Sequence, residues 1–79
     1  MRLDKYLKVS RLIKRRTVAN EACDAGRILI DDKPARASYD VKENDIITIN
    51  LGKNPLTVKV LRVTEHAARD DAEQMYTVV

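Results

Sequence analysis

Arg16-Thr17-Val18-Ala19-Asn20-Glu21-Ala22-Cys23-Asp24-Ala25-Gly26-Arg27-Ile28-Leu29-Ile30 contains the one change of hydrophobic period in the chain. Before Gly26 the apolar residues recur as on a helix, with Val18, Ala19, Ala22 and Cys23 at i, i+1, i+4 and i+5. After it they run on as in a short buried strand. The stretch predicts a helix from about Arg16 to Ala25, ended by Gly26 in the left-handed conformation, and then a strand over Ile28–Ile30. Thr17 is the expected N-cap, with Asn20 three residues on in place of the usual acid. The apolar face of this helix is small, so another helix or a sheet can approach it closely.

Upstream, Leu3, Tyr6 and Leu7 stand at i, i+3 and i+4 and predict a first helix with one buried face. On a helical wheel begun at Arg2 they fall between about 40° and 140°, whereas Arg2, Lys5 and Lys8 fall between about 240° and 360°. Asp4 lies in the first turn, where the helix dipole favours an anion. Val9 to Lys14 carries the chain round a corner, with Leu12 and Ile13 plugging the core between the helices.

Downstream, turn residues punctuate short apolar runs. Asp31-Asp32-Lys33-Pro34 reads as a turn, residues 35–41 as irregular, and Lys42-Glu43-Asn44-Asp45 as a turn with Asn44 left-handed. Ile47, Ile49 and Leu51 alternate with polar residues, as do Leu56, Val58 and Val60, across a Gly52–Pro55 loop. The frame then slips to Leu61 and Val63, which predicts a β-bulge at Val60-Leu61. Residues 65–74 read as a loop or a short helix, and Met75 to Val79 as a final edge strand. The fold class is therefore α+β: two or three short helices on a small, mostly antiparallel, twisted sheet of four or five strands.

At 79 residues the chain is expected to be a single domain with a small core. No apolar run approaches the roughly 20 residues of a membrane span, and the opening Met1-Arg2-Leu3-Asp4-Lys5 leads into no signal-like segment. A lone cysteine makes no internal disulfide, so the cytoplasm is the expected compartment. Catalytic and cofactor chemistry are poorly supplied. His66, the only histidine, sits among charged residues with no cysteine or serine partner evident. Cys23 belongs to an apolar helix face. One His and one Cys do not make the usual zinc set. Asp31-Asp32 and Asp70-Asp71 suit turn chemistry and surface charge better than paired carboxylate chemistry.

The charge is uneven. Net charge is +3, yet residues 1–27 carry eight basic against three acidic side chains, and the remainder is mildly acidic. Arg11, Lys14, Arg15 and Arg16 crowd the corner and the start of the second helix. A helix dipole disfavours cations there by roughly 0.3–1 kcal/mol each. A phosphate at the same point meets helix N–H groups and guanidinium forks, and reverses the sign. The expected ligand is a polyanion. With no Trp or Phe and three Tyr, the chain lacks stacking platforms for single strands. Asn20 and Glu21 are poor equipment for reading a DNA major groove. Structured RNA read by shape and phosphate fits better.

Three segments carry a family resemblance: Arg2-Leu3-Asp4-Lys5-Tyr6-Leu7, Lys14-Arg15-Arg16-Thr17-Val18-Ala19, and Gly26-Arg27-Ile28-Leu29-Ile30 with its turn. Together with Lys42-Glu43-Asn44-Asp45-Ile46 they resemble the S-four RNA-binding domain, with a core motif over about residues 1–50. Arg15 stands where the family often has a capping serine, and Asp32 and Asn44 stand where it has turn glycines. The run Lys8 to Thr17 and the late Met75-Tyr76-Thr77 are similar to the small stand-alone members of bacterial ribosome-associated quality control. That resemblance implies a monomeric, non-enzymatic RNA binder. It would bind the ribosomal RNA of stalled large ribosomal subunits and the P-site tRNA, steadying the tRNA while a partner tails the nascent chain with alanine. Arg2, Lys5, Lys8, Arg11, Lys14, Arg15 and Arg16 are the expected RNA contacts. Arg2 and Arg16 lie at matched motifs; Arg27 and Arg36 are weaker candidates. Two other readings stand beside it: a general ribosomal-RNA-binding assembly or heat-shock factor, and a protein-interaction module using the C-terminal strand.

Overall fold

The structure is a computed structural model, and it describes residues 1–65 and 68–79. Helix α1 spans Leu3–Val9 and α2 spans Arg16–Asp24. Strands β1 (Ile28–Ile30), β2 (Lys33–Pro34), β3 (Ile46–Ile49) and β4 (Leu56–Val60) follow. A short helix α3 (Arg69–Ala72) and strand β5 (Tyr76–Val78) complete the described elements. The five strands form one sheet in the order β2-β1-β3-β4-β5, and every pairing is antiparallel. His66 lies outside the described residues.

The two helices form as their patterns dictate. Leu3, Tyr6 and Leu7 are fully buried, and they pack with Ala19, Ala22 and Cys23 of α2 and with Ile28, Ile47, Val58 and Val60 of the sheet. Fully burying a side chain of the Leu or Ile class is worth about 1.5–3 kcal/mol, so this single cluster carries the fold. Tyr6 also donates its hydroxyl to the Met75 carbonyl at 2.8 Å, which ties α1 to the start of β5. Ile13 is buried and Leu12 packs beside it, so the corner does plug the core.

Chain reversals follow local chemistry. Gly26 adopts φ +74°. Its N–H bonds the Cys23 carbonyl and the Arg27 N–H bonds the Ala22 carbonyl, both at 3.0 Å, which is the paired closure of a Schellman end. Asn44 is left-handed at φ 74°, as expected. Asp31 and Asp32 both have positive φ, giving a two-residue hairpin of the type that right-twisted strands prefer. The Asp45 carboxylate accepts from the Tyr39 hydroxyl and the Lys42 N–H, each at 2.9 Å, and fixes the turn into β3.

Four details differ from the sequence reading. Arg15, not Thr17, is the N-cap of α2, and no side chain caps it. The helix itself opens at Arg16, as expected, where that side chain meets Asp4 of α1. Val18 is 42% exposed, since α2 faces the core with Ala19, Ala22 and Cys23 alone. Lys33–Pro34 is a strand rather than the end of a turn, because both left-handed positions fall at Asp31 and Asp32. The bulge falls one residue later than expected: the N–H groups of Leu61 and Arg62 converge on the single carbonyl of Met75.

Candidate nucleic-acid interface

The site begins with a buried carboxylate. Asp4 follows Leu3 on α1 and is turned inward, almost wholly shielded from solvent. Its Oδ1 accepts from its neighbour's backbone, the Lys5 N–H at 2.8 Å, and from Arg2 Nε at 3.2 Å. Arg16 brings Nη2 to within 3.5 Å of Oδ1 and Nε to within 3.4 Å of Oδ2. Asn20, one turn further along α2, donates Nδ2 to Oδ2 at 3.3 Å. Burial pushes the Asp4 carboxyl up, but the bonds from Asn20, Arg16 and Arg2 and the Arg16 charge outweigh it. The net shift is below the usual carboxylate value, so Asp4 stays ionised.

This arrangement locks the two helices and also aims two guanidiniums. Arg2 and Arg16 are spent on Asp4 along one edge only, and their side chains remain 51% and 47% exposed. The free edge of each planar fork stays available to a phosphate. The sequence places Asp4 only in a dipole-friendly first turn. The signal for more was its wheel position near 200°, on the border between the apolar and basic stripes. An acid at such a border meets whatever packs on the neighbouring helix.

Beside this network lies a cleft of about 480 Å³ between α1 and the corner. Lys5, Lys8, Arg11, Lys14 and Arg16 line it, together with Val9 and Glu65. Five of the seven expected RNA contacts therefore share one concave surface. Arg2 lies outside it, in a shallower depression with Arg36. Arg15 is exposed at the N-cap of α2 and lines neither. Arg27 lies elsewhere, in a depression with Val18 and Leu51.

Two local features go against ordinary helix chemistry. The first turn of α2 holds no acidic residue and opens with Arg15 and Arg16. By contrast, the N–H groups of Leu3 and Asp4 at the start of α1 are closed by the carbonyls of Tyr39 and Ala37. Arg11 sits one residue past the α1 C-cap with φ 65°, in the left-handed position that glycine usually fills. A side chain there costs roughly 1–2 kcal/mol. Cys23 is a buried core thiol, and burial pushes its pKa up to about 11. Among the described residues, no cluster of His, Cys, Asp or Glu is placed to hold a metal ion. No helix among them is long and apolar enough to cross a membrane.

The fold and the basic face define a class. The family model described as S4 domain matches residues 1–47, and the chain belongs to that family. More specifically, it is 49% identical over 79 residues to the RQC P-site tRNA stabilizing factor of Bacillus subtilis, spanning 100% of this chain and 92% of that one. It is 51% identical over 79 residues to the protein of the same name from Streptococcus pneumoniae, covering 90% of it. The trimeric structure of heat shock protein 15 from Vibrio cholerae superposes with a TM-score of 0.93 at 25% identity, covering 100% of this chain and 81% of that one.

Proposed function

We propose that the chain acts as one RNA-binding unit on large ribosomal subunits obstructed by peptidyl-tRNA. It contacts ribosomal RNA and the P-site tRNA, and it steadies that tRNA while another factor tails the nascent chain with alanine, without messenger RNA. It works by binding and performs no bond chemistry of its own. One observation carries the RNA part: five cations line one cleft whose neighbouring helix end has neither a side-chain cap nor an acid. That surface suits a phosphate backbone. The ribosomal part rests on near-half identity, over the full chain, to proteins named for the P-site tRNA.

The test is co-sedimentation with isolated large subunits, either empty or carrying peptidyl-tRNA. The variants are Lys14→Glu and Arg15→Glu. Arg16→Glu is a poorer choice, because it sets a second carboxylate against buried Asp4 and so disturbs the fold as well. Preference for the tRNA-bearing subunits, lost in both variants, supports the reading. With about five phosphate contacts, log affinity should fall against log salt with a slope of about −3.5 to −4.5. A flat salt response refutes phosphate binding. Equal binding to both kinds of subunit favours a general ribosomal-RNA binder instead. In the C-terminal interaction reading, β5 is an edge strand that pairs with β4 on one side and starts beside buried Met75, so its deletion should unfold the chain rather than only remove a partner.

A further inference from the structure

Among the described residues that line the basic cleft, Glu65 is the one acid. It lies beyond β4, sixty positions from Lys5 in sequence, and its carboxylate meets Lys5 Nζ at 2.8 Å. That is the distance of a strong charge-assisted bond, the same contact a phosphodiester oxygen makes with a lysine. Lys5 is the more shielded partner, with 30% of its side chain exposed against 68% for Glu65. So the acid reaches in from the rim to a lysine on the cleft wall.

We propose that Glu65 is an internal competitor for an RNA phosphate: its carboxylate holds the Lys5 subsite until a phosphodiester displaces it. The inference rests on the reading that the cleft takes RNA phosphates. Five like charges gathered in one concavity repel one another, and a carboxylate among them relieves that repulsion while no RNA is bound. On binding, Lys5 exchanges one anion for another and gains little. Lys8, Arg11 and Lys14 gain a partner outright, and Arg16 gains one on the edge that Asp4 leaves free. Glu65 therefore weakens binding, while the number of phosphate contacts in the complex stays the same, because the acid leaves Lys5 when RNA arrives. It sets how tightly the cleft holds RNA without altering the cationic wall.

The competitor model separates from a general charge effect by a double-mutant cycle. The probe is a fluorescein-labelled RNA stem–loop, read by anisotropy over a salt series. Glu65→Gln should tighten binding about two- to fivefold, the range an exposed ion pair spans. The log–log salt slope should stay close to that of the wild type, because Lys5 reaches a phosphate in both. In a Lys5→Gln background, whose slope should be shallower by about 0.7–0.9, the same substitution should tighten binding far less. Asp32→Asn removes an equal charge from the β1–β2 turn outside the cleft, and should change the affinity much less than Glu65→Gln does. Equal tightening by Glu65→Gln with and without Lys5 overturns the proposal. So does an effect no larger than that of Asp32→Asn, or no measurable stem–loop binding by the wild-type chain. Failure of the ribosomal reading looks different: the stem–loop pattern holds, yet no variant sediments with large subunits.

Discussion

Replacing Asp4 by Asn exchanges one oxygen for an NH2 and tests the whole site. The amide keeps the shape and retains one acceptor for the Lys5 N–H. What it removes is the charge shared by Arg2 and Arg16, and it turns an NH2 toward Asn20 Nδ2 and Arg16 Nε. Each ion pair has a guanidinium about half exposed, so solvent screens it to about 0.2–1 kcal/mol. The donor-against-donor contact is shielded and adds about 1 kcal/mol or more. The sum is about 2 kcal/mol, which for a domain of this size is a fall in Tm of about 8–16 °C. A thermal melt at neutral pH measures it. The acid limb of the stability curve gives a second reading. The folded Asp4 carboxyl titrates below its ordinary value of 3.8, so its contribution is present above the unfolded pKa. It is lost as pH falls through the lower folded pKa, and the gap between wild type and Asp4→Asn should close over that acid range. Pairing Asp4→Asn with Asn20→Asp returns a carboxylate to the network and should recover part of the loss. RNA binding should weaken in Asp4→Asn although the chain gains a unit of positive charge, because the two forks lose their aim. A Tm change under about 2 °C, a gap that ignores acid, or tighter RNA binding would each refute the positioning role.

Arg11→Gly should raise stability by about 0.5–1 kcal/mol, since glycine accepts φ 65° freely, while RNA binding falls; a melt and an anisotropy titration read both. Gly26→Ala should cost about 1–2 kcal/mol from backbone strain alone, because nothing lies within 4 Å of the added methyl. Tyr6→Phe should cost only about 0.5–1.5 kcal/mol in urea unfolding, because the Met75 carbonyl keeps the Leu61 and Arg62 N–H groups when the hydroxyl goes. Cys23 should react with a thiol reagent at pH 8 far more slowly in the native chain than in urea, as burial holds its pKa near about 11.

The legible parts of the fold were those with a period or a turn chemistry. Leu3, Tyr6 and Leu7 announced α1, the alternation around Val58 announced β4, and Asn44 and Gly26 announced left-handed turns. The illegible parts were set by tertiary contact. Lys33–Pro34 pairs because β1 offers an edge two residues away, and no pattern shows in so short a strand. Thr17 is a capping residue by type, yet the cap falls at Arg15 and the helix opens at Arg16, where that side chain meets Asp4. Of the site, the sequence showed the cations but not their division. Lys5, Lys8, Arg11, Lys14 and Arg16 share a cleft, while Arg2 and Arg15 stand outside it. Wheel positions describe one helix, and the cleft is made by the corner that joins two.

Breaches of local rules are informative here because they gather in one place. A non-glycine left-handed residue occurs after α1, and an uncapped, acid-free, doubly cationic start occurs at α2. Each is unfavourable alone, and five residues separate them at most. Elsewhere the breaches are milder: α2 ends on Asp24 with no basic residue in its last turn, and Asp31, Asp32 and Asn44 are left-handed but of types that tolerate it, while α1 has its acid in the first turn and Lys8 in the last. Random imperfection would scatter such costs over the molecule. Their concentration beside a cleft of five cations fits a surface shaped for an anion, whose arrival reverses the sign of every electrostatic penalty at that corner. The strain at Arg11 is different in kind, since no ligand removes it. It persists in the bound state as the cost of keeping a guanidinium on the cleft wall, where a glycine would fold better and bind worse.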